Sequence, residues 1–301
     1  MDSQILESPE VEAPAANGIS LDPDIPLPVV VLSDLHLGHP ASFLRNPEMV
    51  LPLLGDARTL IVNGDSCEQI ALPYRDDARE KLARLVDLCA DRGVGTMFLT
   101  GNHDPLVSNL DYLDLFDGRV FMTHGDMLHP LVAPWSREGP IMGVERRRIL
   151  RHEPEPRDLN DVLHLTKRST LVASVYPPAI RGGFFSRVEL LSRFALKPWR
   201  IIRTLDYWGN VSHYCHGIRE RHRPEARLML IGHTHRAGIW QTHDFTIVNT
   251  GSYHLLSKPM VVHLQEHRAV VHQAVRRGQE YVLGQELYHM PLKSRTESRS
   301  R

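Results

Sequence analysis

Short runs of apolar residues recur along the chain, and most of them end in a polar cluster. The first run, residues 27–32, includes three consecutive valines, a composition typical of strands covered on both faces. Similar runs occupy residues 59–62, 96–99, 119–123, 228–231 and 245–248. We interpret all of them as buried strands, and residues 260–264 and 269–275 as a closing hairpin.

One helix is predicted between the second and third strands. Between Asp76 and Gly93, the side chains of Leu82, Leu85, Val86 and Cys89 recur at helical spacing. Either Asp76 or Asp77 suits the start of this helix, and Gly93 suits its end. Strand, helix and strand alternate through this half, which predicts an α/β layer structure.

Residues 137–227 interrupt the strand pattern. They hold 18 lysines and arginines against 10 acidic residues, including three consecutive arginines at 146–148. Apolar side chains at mostly helical spacing follow at Phe184, Phe185, Val188, Leu191, Phe194 and Trp199. We interpret the segment as a helical insertion with an apolar face and a basic rim, dividing a domain made of residues 27–136 and 228–290.

Both ends of the chain are predicted to be disordered. Residues 1–26 carry six acidic residues and no lysine or arginine, and such a tract buries too little apolar surface to offset the entropy of ordering. Residues 291–301 are rich in serine and arginine.

Composition describes an ordinary soluble protein. The chain is 42% hydrophobic, with 35 basic against 36 acidic residues, so overall charge gives no reason to expect nucleic-acid binding. Three cysteines, at no metal-site spacing, predict reduced thiols. We see neither a signal peptide nor an apolar run of about 20 residues. The expected location is therefore cytoplasmic, with peripheral contact on the inner face of the membrane left open, as is the oligomeric state.

Candidate chemistry gathers at the strand ends, where the 18 histidines of the chain become informative. The residues concerned are Asp34, His36, Asp65, Asn102, His103, His124, His233 and His235. Binding sites in layered α/β folds form outside the carboxyl ends of strands, so one edge can gather these groups. Oxygen and imidazole donors without thiolates suit Mn²⁺, Fe, Zn²⁺ or Mg²⁺.

Two carboxylates, one amide and four histidines exceed what a single ion can use. Two ions sharing a carboxylate, about 3.5–4 Å apart, would use them all and suit the hydrolysis of a phosphate ester. A bridging hydroxide would then attack phosphorus, and His103 is free to protonate the leaving group.

The motifs DLH, GD, GNHD, HGD and GHTH, at residues 34–36, 64–65, 101–104, 124–126 and 232–235, resemble those of the calcineurin-like metallophosphoesterases. That resemblance implies a four-layer α/β/β/α sandwich with an inserted helical cap and two divalent ions, with Mn²⁺ expected first. It implies one ion on Asp34, His36, Asp65 and His235, and a second on Asp65, Asn102, His124 and His233. His103 would act on the substrate phosphate or leaving group, and Asp104 would orient His103.

Within this family, the insertion is similar in position to the cap of the UDP-2,3-diacylglucosamine diphosphatases. This resemblance implies a phosphorylated lipid-nucleotide substrate, with acyl chains against the apolar face and membrane contact through residues 137–227. Members of that group carry arginine where His103 stands, so the resemblance to the family as a whole is closer. The alternatives are a soluble phosphoprotein phosphatase, a dinucleoside polyphosphatase, a cyclic-nucleotide phosphodiesterase or, from another class, a non-catalytic scaffold.

Several residues near these motifs have a structural interpretation beside the functional one. His39 and His254 each adjoin a motif and are interpreted as structural rather than substrate-binding. Asp126 is expected to hold an imidazole or a turn. The arginines at 146–148 are expected to form a solvated helix face, and the apolar residues from Phe184 to Trp199 to form the core of the insertion.

Overall fold

The computed structural model describes residues 18–19, 25–172, 198–254 and 257–292. Twelve strands lie in this part of the chain: β1 (Gly18–Ile19), β2 (Val29–Leu32), β3 (Thr59–Asn63), β4 (Gly95–Leu99), β5 (Tyr112–Leu115), β6 (Val120–Thr123), β7 (Leu228–Ile231), β8 (Gly238–Gln241), β9 (Thr246–Asn249), β10 (Met260–Leu264), β11 (Arg268–Arg277) and β12 (Glu280–Pro291). The α-helices described are α1 (Arg75–Ala90), α2 (Gly139–His152), α3 (Leu159–Leu171) and α4 (Pro198–His222), and 3₁₀ helices occupy Pro47–Leu53 and Asp126–Leu128.

The strands form two six-stranded sheets. The first sheet has the order β1-β5-β6-β7-β9-β8, and the second has the order β12-β11-β10-β2-β3-β4. In the first sheet β6, β7 and β9 are parallel, and in the second β2, β3 and β4 are parallel. The parallel strands of each sheet end at a common edge.

Side chains alternate between the two faces of each sheet, as the period of a strand requires. In β6, Val120 and Met122 join the core between the sheets, while Phe121 points to the outer face of the first sheet. Val29 and Val31 of β2 also enter the core between the sheets, and Val30 lies on the outer face of the second sheet.

Helices cover the outer faces. The second sheet packs against α1, through Leu85 and Cys89, and against the 3₁₀ helix Pro47–Leu53. The first sheet packs against α3 and α4, represented by Leu163 and Tyr207. The architecture is therefore the expected α/β/β/α sandwich, and the inserted segment supplies the helices of its fourth layer.

Some elements differ from the expectations. The face of α1 is rotated, with Leu88 buried and Val86 36% exposed. Strands β5, β8 and β12 were not predicted. Gly18–Ile19 pairs with β5 within the acidic tract expected to be disordered, and β12 extends to Pro291, into the tail expected to be disordered. The apolar residues Phe184, Phe185, Val188, Leu191 and Phe194 lie outside the described residues.

Two general expectations concern thiols and membrane spans. Cys67, Cys89 and Cys215 are buried and free of disulfides. Among the helices described, none combines the length and the apolar character needed to cross a bilayer.

Candidate metal centre

One group of donors gathers where β2, β3 and β7 end. Asp34, His36, Asp65 and His235 present ligand atoms that all lie within 4.8 Å of one another. Nε2 of His36 is 3.0 Å from Nε2 of His235 and 3.6 Å from Oδ2 of Asp65. This is the set of residues expected for the first metal position.

A second group adjoins the first and shares Asp65. It contains Asp65, His124 and His233, again within 4.8 Å, and Nε2 of His124 lies 3.2 Å from Oδ2 of Asp65. Asn102, the amide expected for this position, is buried. The following residue, His103, donates its backbone N–H to Oδ1 of Asp65 at 2.8 Å.

Among the described residues, two buried donor atoms of the second group, Oδ1 of Asn102 and Nε2 of His124, have no hydrogen-bond partner. Nε2 of His124 faces the carboxylate of Asp65, but the proton of this ring is on Nδ1. A buried polar atom without a partner is costly in a folded protein. Lone pairs left free among oxygen and nitrogen donors fit a divalent cation.

The other ring nitrogen of each histidine in the second group is held by a carbonyl oxygen. His124 donates from Nδ1 to the oxygen of Asn63 at 3.0 Å, and His233 donates from Nε2 to the oxygen of Val132 at 2.9 Å. Because these bonds fix the tautomers, His124 keeps Nε2 and His233 keeps Nδ1 as the nitrogen that could bind a metal. Val132 is a β-branched residue at φ 58°, an uncommon backbone conformation found mainly at functional sites.

Residues of the two donor groups have strained backbones. Five of them lie in the left-handed region, with φ values of 50° at Asp34, 48° at His36, 50° at Asp65, 67° at His233 and 56° at His235. For residues other than glycine this conformation costs roughly 1–3 kcal/mol each and persists where the surrounding structure enforces it. Tight turns at the strand ends therefore direct these side chains inward.

Glycines allow the loops to approach the ligands. A Cβ on Gly101 would lie 2.4 Å from Oδ1 of Asp65, and one on Gly232 would lie 2.1 Å from Oδ2 of Asp34. No ordinary Cβ contact is this short, so glycine is required at both positions to bring the strand ends together.

Asp104 does not occupy the position expected for it. Its carboxylate accepts backbone N–H bonds from Asp65 at 2.9 Å, Ser66 at 2.6 Å and Gly101 at 3.0 Å. It therefore joins the loop after β3 to the loop after β4. The carboxylate that contacts the imidazole of His103 belongs to Glu68, with Oε2 2.9 Å from Nδ1.

Sequence reasoning missed Glu68. It is 2% exposed, and its Oε1 also lies 2.9 Å from Nδ1 of His36. The only signal was its position three residues after Asp65 in the second motif, and a single glutamate at that spacing does not distinguish a buried carboxylate from a surface one.

Electrostatic interactions in the centre are strong. Burial opposes a charge on His103, but Glu68 and Asp65 outweigh it and raise the pKa of this imidazole to about 10. Burial would raise the pKa of Asp65, yet His124 and His103 hold it well below its usual value. Burial, with a contribution from His124, lowers the pKa of His233 to about 3, which leaves that ring neutral, the form that binds metals.

Two further histidines lie beside the first donor group. The ring of His254 lies 4.4 Å from that of His36 and 4.9 Å from that of His235, centroid to centroid. His39 lies 4.9 Å from His254. The rings of both residues thus pack near the first donor group, which their neighbouring motifs alone did not establish.

Of the remaining residues near the motifs, Arg146 and Arg148 contact residues of α2 and α3, whereas Asp126 interacts with the charge of His124. Arg148 pairs with Glu145 on the surface of α2, and Arg146 contacts Thr166 of α3. The side chain of Asp126 is buried, and burial raises its pKa to about 6.

Comparison with known proteins now places the chain in a family. A model of the calcineurin-like phosphoesterases matches residues 27–237, well over half of the chain. The protein belongs to the calcineurin-like phosphoesterase family, and it is a metal-dependent phosphoesterase.

Among curated relatives, a UDP-2,3-diacylglucosamine hydrolase of Neisseria meningitidis serogroup A is 26% identical over 249 residues, covering 75% of this chain and 90% of the relative. Solved structures include a dimetal phosphatase from Danio rerio at 13% identity and TM-score 0.41, covering 85% of this chain and 97% of that one. A predicted phosphoesterase from Streptococcus pneumoniae is 15% identical with TM-score 0.36, covering 87% of this chain and 96% of that one.

Proposed function

We propose that the protein is a two-metal phosphohydrolase. The observation that carries this proposal is the pair of donor groups that share Asp65. Asp34, His36, Asp65 and His235 would hold the first ion. Asp65, Asn102, His124 and His233 would hold the second.

Two divalent cations in these positions would supply positive charge for the phosphate oxygens and activate water for attack on phosphorus. The protein contributes the geometry. Asp65 is fixed from both sides, because its backbone N–H donates to Asp104 and its Oδ1 accepts from the backbone of His103.

His103 is the residue available to act on the substrate. It is the expected proton donor to the leaving group, and its side chain is 35% exposed beside the two donor groups. The contact with Glu68 keeps a proton on Nδ1, so the charge of the protonated ring also favours a phosphate oxygen at Nε2.

For the substrate, we propose a lipid-nucleotide with a pyrophosphate, similar to UDP-diacylglucosamine. Support comes from the name of the Neisseria relative and from the helical segment that packs beside the centre. Exposed apolar side chains on α4, namely Trp199, Ile202 and Leu205, support contact of this segment with acyl chains or a membrane surface.

A hydrolysis panel tests the proposal. Protein freed of metal is reloaded with Mn²⁺, Zn²⁺, Mg²⁺ or Fe²⁺ and offered UDP-diacylglucosamine, dinucleoside polyphosphates, cyclic nucleotides and a phosphopeptide. We expect hydrolysis of UDP-diacylglucosamine to be fastest with Mn²⁺ and absent without metal. Faster turnover of a soluble substrate would refute the proposed lipid-nucleotide substrate. Absence of hydrolysis with every metal would refute the proposed phosphohydrolase activity.

A further inference from the structure

A third imidazole lies beside the two that belong to the first donor group. The ligand atoms of His36, His235 and His254 all lie within 4.8 Å of one another. The ring centres of His36 and His254 are 4.4 Å apart, and the ring centre of His235 lies 4.9 Å from each of them. The three rings therefore form a compact triangle at this donor group.

The spacing of these rings is that of imidazoles on one cation. A metal–nitrogen bond to histidine is about 2.0–2.1 Å long, so two bound nitrogens at a right angle are about 3 Å apart and their ring centres about 4.5 Å apart. Nε2 of His36 and Nε2 of His235 are 3.0 Å apart. All three distances between ring centres agree with this arrangement.

His254 also has a nitrogen that could bind a metal. Its Nε2 is buried and has no hydrogen-bond partner among the residues that the structure describes. A buried nitrogen without a partner is costly, and imidazole is the commonest metal ligand in proteins. The neighbouring His39 differs, because its Nδ1 accepts the backbone N–H of Ala41 at 3.1 Å.

Backbone bonds attach the segment that carries His254 to the loop that carries Asp34. The N–H of Tyr253 donates to the oxygen of Asp34 at 3.4 Å, and the oxygen of Tyr253 accepts the N–H of Phe43 at 2.8 Å. The side chain of Tyr253 is buried in the core on the outer face of the second sheet. Contacts within the protein therefore hold His254 beside the first donor group.

We propose that His254 is a further protein ligand of the first ion, beside Asp34, His36, Asp65 and His235. The proposal rests on the proposed function, because it extends the donor group assigned to that ion. Three imidazoles with two carboxylates favour a transition metal over Mg²⁺. The second position has two imidazoles, so it should bind its ion more weakly and fill later in a titration.

The competing interpretation is that His254 contacts the substrate or only packs against His36. Cadmium separates the interpretations, because ¹¹³Cd²⁺ splits the ¹⁵N resonance of each nitrogen that it binds. Full-length protein with ¹⁵N-labelled histidine is therefore loaded with ¹¹³Cd²⁺ and observed by NMR. Competition with a chelator measures the affinity for the ion.

His254→Gln is the central variant, because it removes the imidazole and keeps a polar side chain. The matched control is His39→Gln, which changes a histidine whose ring centre lies 4.9 Å from that of His254. Among the described residues, His39 belongs to no group of converging ligand atoms. Thermal unfolding checks that both variants fold.

In the unchanged protein we expect nitrogens of His36, His235 and His254 to couple to one cadmium resonance. His254→Gln should lose one of these three couplings, and His39→Gln should keep all three. Loss of a residue behind a metal ligand typically weakens binding by about 10–100-fold, so loss of the ligand His254 should cost at least about tenfold. Two couplings in the unchanged protein, or an equal loss in both variants, would refute the proposal.

The cadmium couplings do not depend on turnover. If all three are observed while the hydrolysis panel shows no activity, the proposed function fails and the assignment of His254 as a ligand stands. If only His36 and His235 couple to that cadmium in a protein that hydrolyses its substrate, the assignment of His254 fails and the proposed function stands.

Discussion

Individual glycines decide how closely the ligand loops can meet. At Gly101 and Gly232 the space of a methyl group is already filled by the carboxylates of Asp65 and Asp34. A methyl group added at either position would displace a carboxylate oxygen of a donor group. These glycines therefore determine the position of the ligands as directly as hydrogen bonds do.

Gly101→Ala should weaken metal binding strongly, because its Cβ would lie 2.4 Å from both the N and Oδ1 of Asp65. Gly217→Ala is the control, since a Cβ there meets nothing within 4 Å and alanine favours a helix by up to about 1 kcal/mol. Metal content and thermal unfolding of both variants test this. Full metal binding by Gly101→Ala would contradict the close packing described here.

Asp65→Asn and His103→Ala should separate metal binding from chemistry. Asp65 belongs to both donor groups, so its replacement should reduce metal content at both positions. His103→Ala should keep two ions and lower the rate of hydrolysis by roughly 10²–10⁴-fold, the usual contribution of a general acid. Equal metal loss in both variants would overturn these roles.

Among individual residues, the sequence identified the members of the donor groups as candidates. It did not identify the residues whose hydrogen bonds hold the side chains of those candidates in place. The candidates all followed apolar strands and carried metal-binding atoms. Glu68 and Val132 follow no such pattern, because a buried carboxylate and a bonding carbonyl oxygen depend on how distant loops pack. For the same reason, the sequence did not predict that the carboxylate of Asp104 bonds backbone N–H groups of two loops.

At the scale of elements, a buried ion pair joins α3 to the sandwich. Nζ of Lys167 lies 2.7 Å from Oδ1 of Asp111, and both side chains are under 5% exposed. Asp111 also accepts a hydrogen bond from the hydroxyl of Thr100, at the start of the loop that carries Asn102. The inserted segment is thus linked to the metal centre through one carboxylate.

Lys167→Met should lower the free energy of unfolding by about 3–5 kcal/mol, because it leaves Asp111 buried without its cation. Adding Asp111→Leu should recover much of that loss. Lys81→Met, which breaks the exposed pair with Asp77, should cost less than about 0.5 kcal/mol. Urea unfolding measures all three, and equal effects at Lys167 and Lys81 would argue against a structural role for the buried pair.

The second sheet contains a pH-sensitive element at His263 of β10. Burial, with a smaller effect of His272, lowers its pKa to about 4. The unfolded chain, with a pKa near 6.5, binds a proton that the folded chain does not, so this contribution to stability is present above pH 6.5 and is lost as the pH falls toward 4.

At about 1.4 kcal/mol per pH unit, His263 should account for roughly 3 kcal/mol of destabilisation by pH 4. Urea unfolding at pH 7.5 and pH 4.5 should therefore show a smaller loss of stability in His263→Val than in the unchanged protein. His267→Gln, at an exposed position of the same hairpin, should behave as the unchanged protein does. An identical pH dependence in all three proteins would contradict the burial argument.

Among elements, strands were predictable where both faces are buried. Residues 228–231 are apolar throughout, residues 260–264 are apolar except for His263, and the two runs match β7 and β10. The strands missed by sequence are short or partly exposed. β5 contains Asp114, and the side chains of β12 are mostly exposed, so neither has a continuous apolar run. Val86 was placed on the wrong face of α1 because several registers of that helix bury a similar number of leucines.

At the scale of the whole molecule, the exposed apolar side chains of α4 concern contact of the protein with membranes. Ile202 is 66% exposed and Leu205 57% exposed, with Arg203 between them. A helix that combines exposed apolar and basic side chains suits an anionic membrane surface.

Ile202→Ser with Leu205→Ser should reduce flotation with phosphatidylglycerol vesicles by more than roughly tenfold, since burying each side chain in lipid contributes about 1.5–3 kcal/mol. Leu283→Ser with Leu287→Ser, at exposed positions of β12, is the matched control and should float as before. Equal flotation of both pairs of variants would refute a membrane role for α4.

The donor groups draw on both sheets, and this determines when the protein can capture metal. The first group needs His235, which follows β7 of the first sheet, together with Asp34, His36 and Asp65, which follow strands of the second. During synthesis, no ion can be fully enclosed until the chain has emerged past residue 235 and the two sheets have closed on each other. A bound ion would therefore report that the whole sandwich has assembled, and a chain stalled earlier on the ribosome would expose its histidines to whatever metal the surroundings supply.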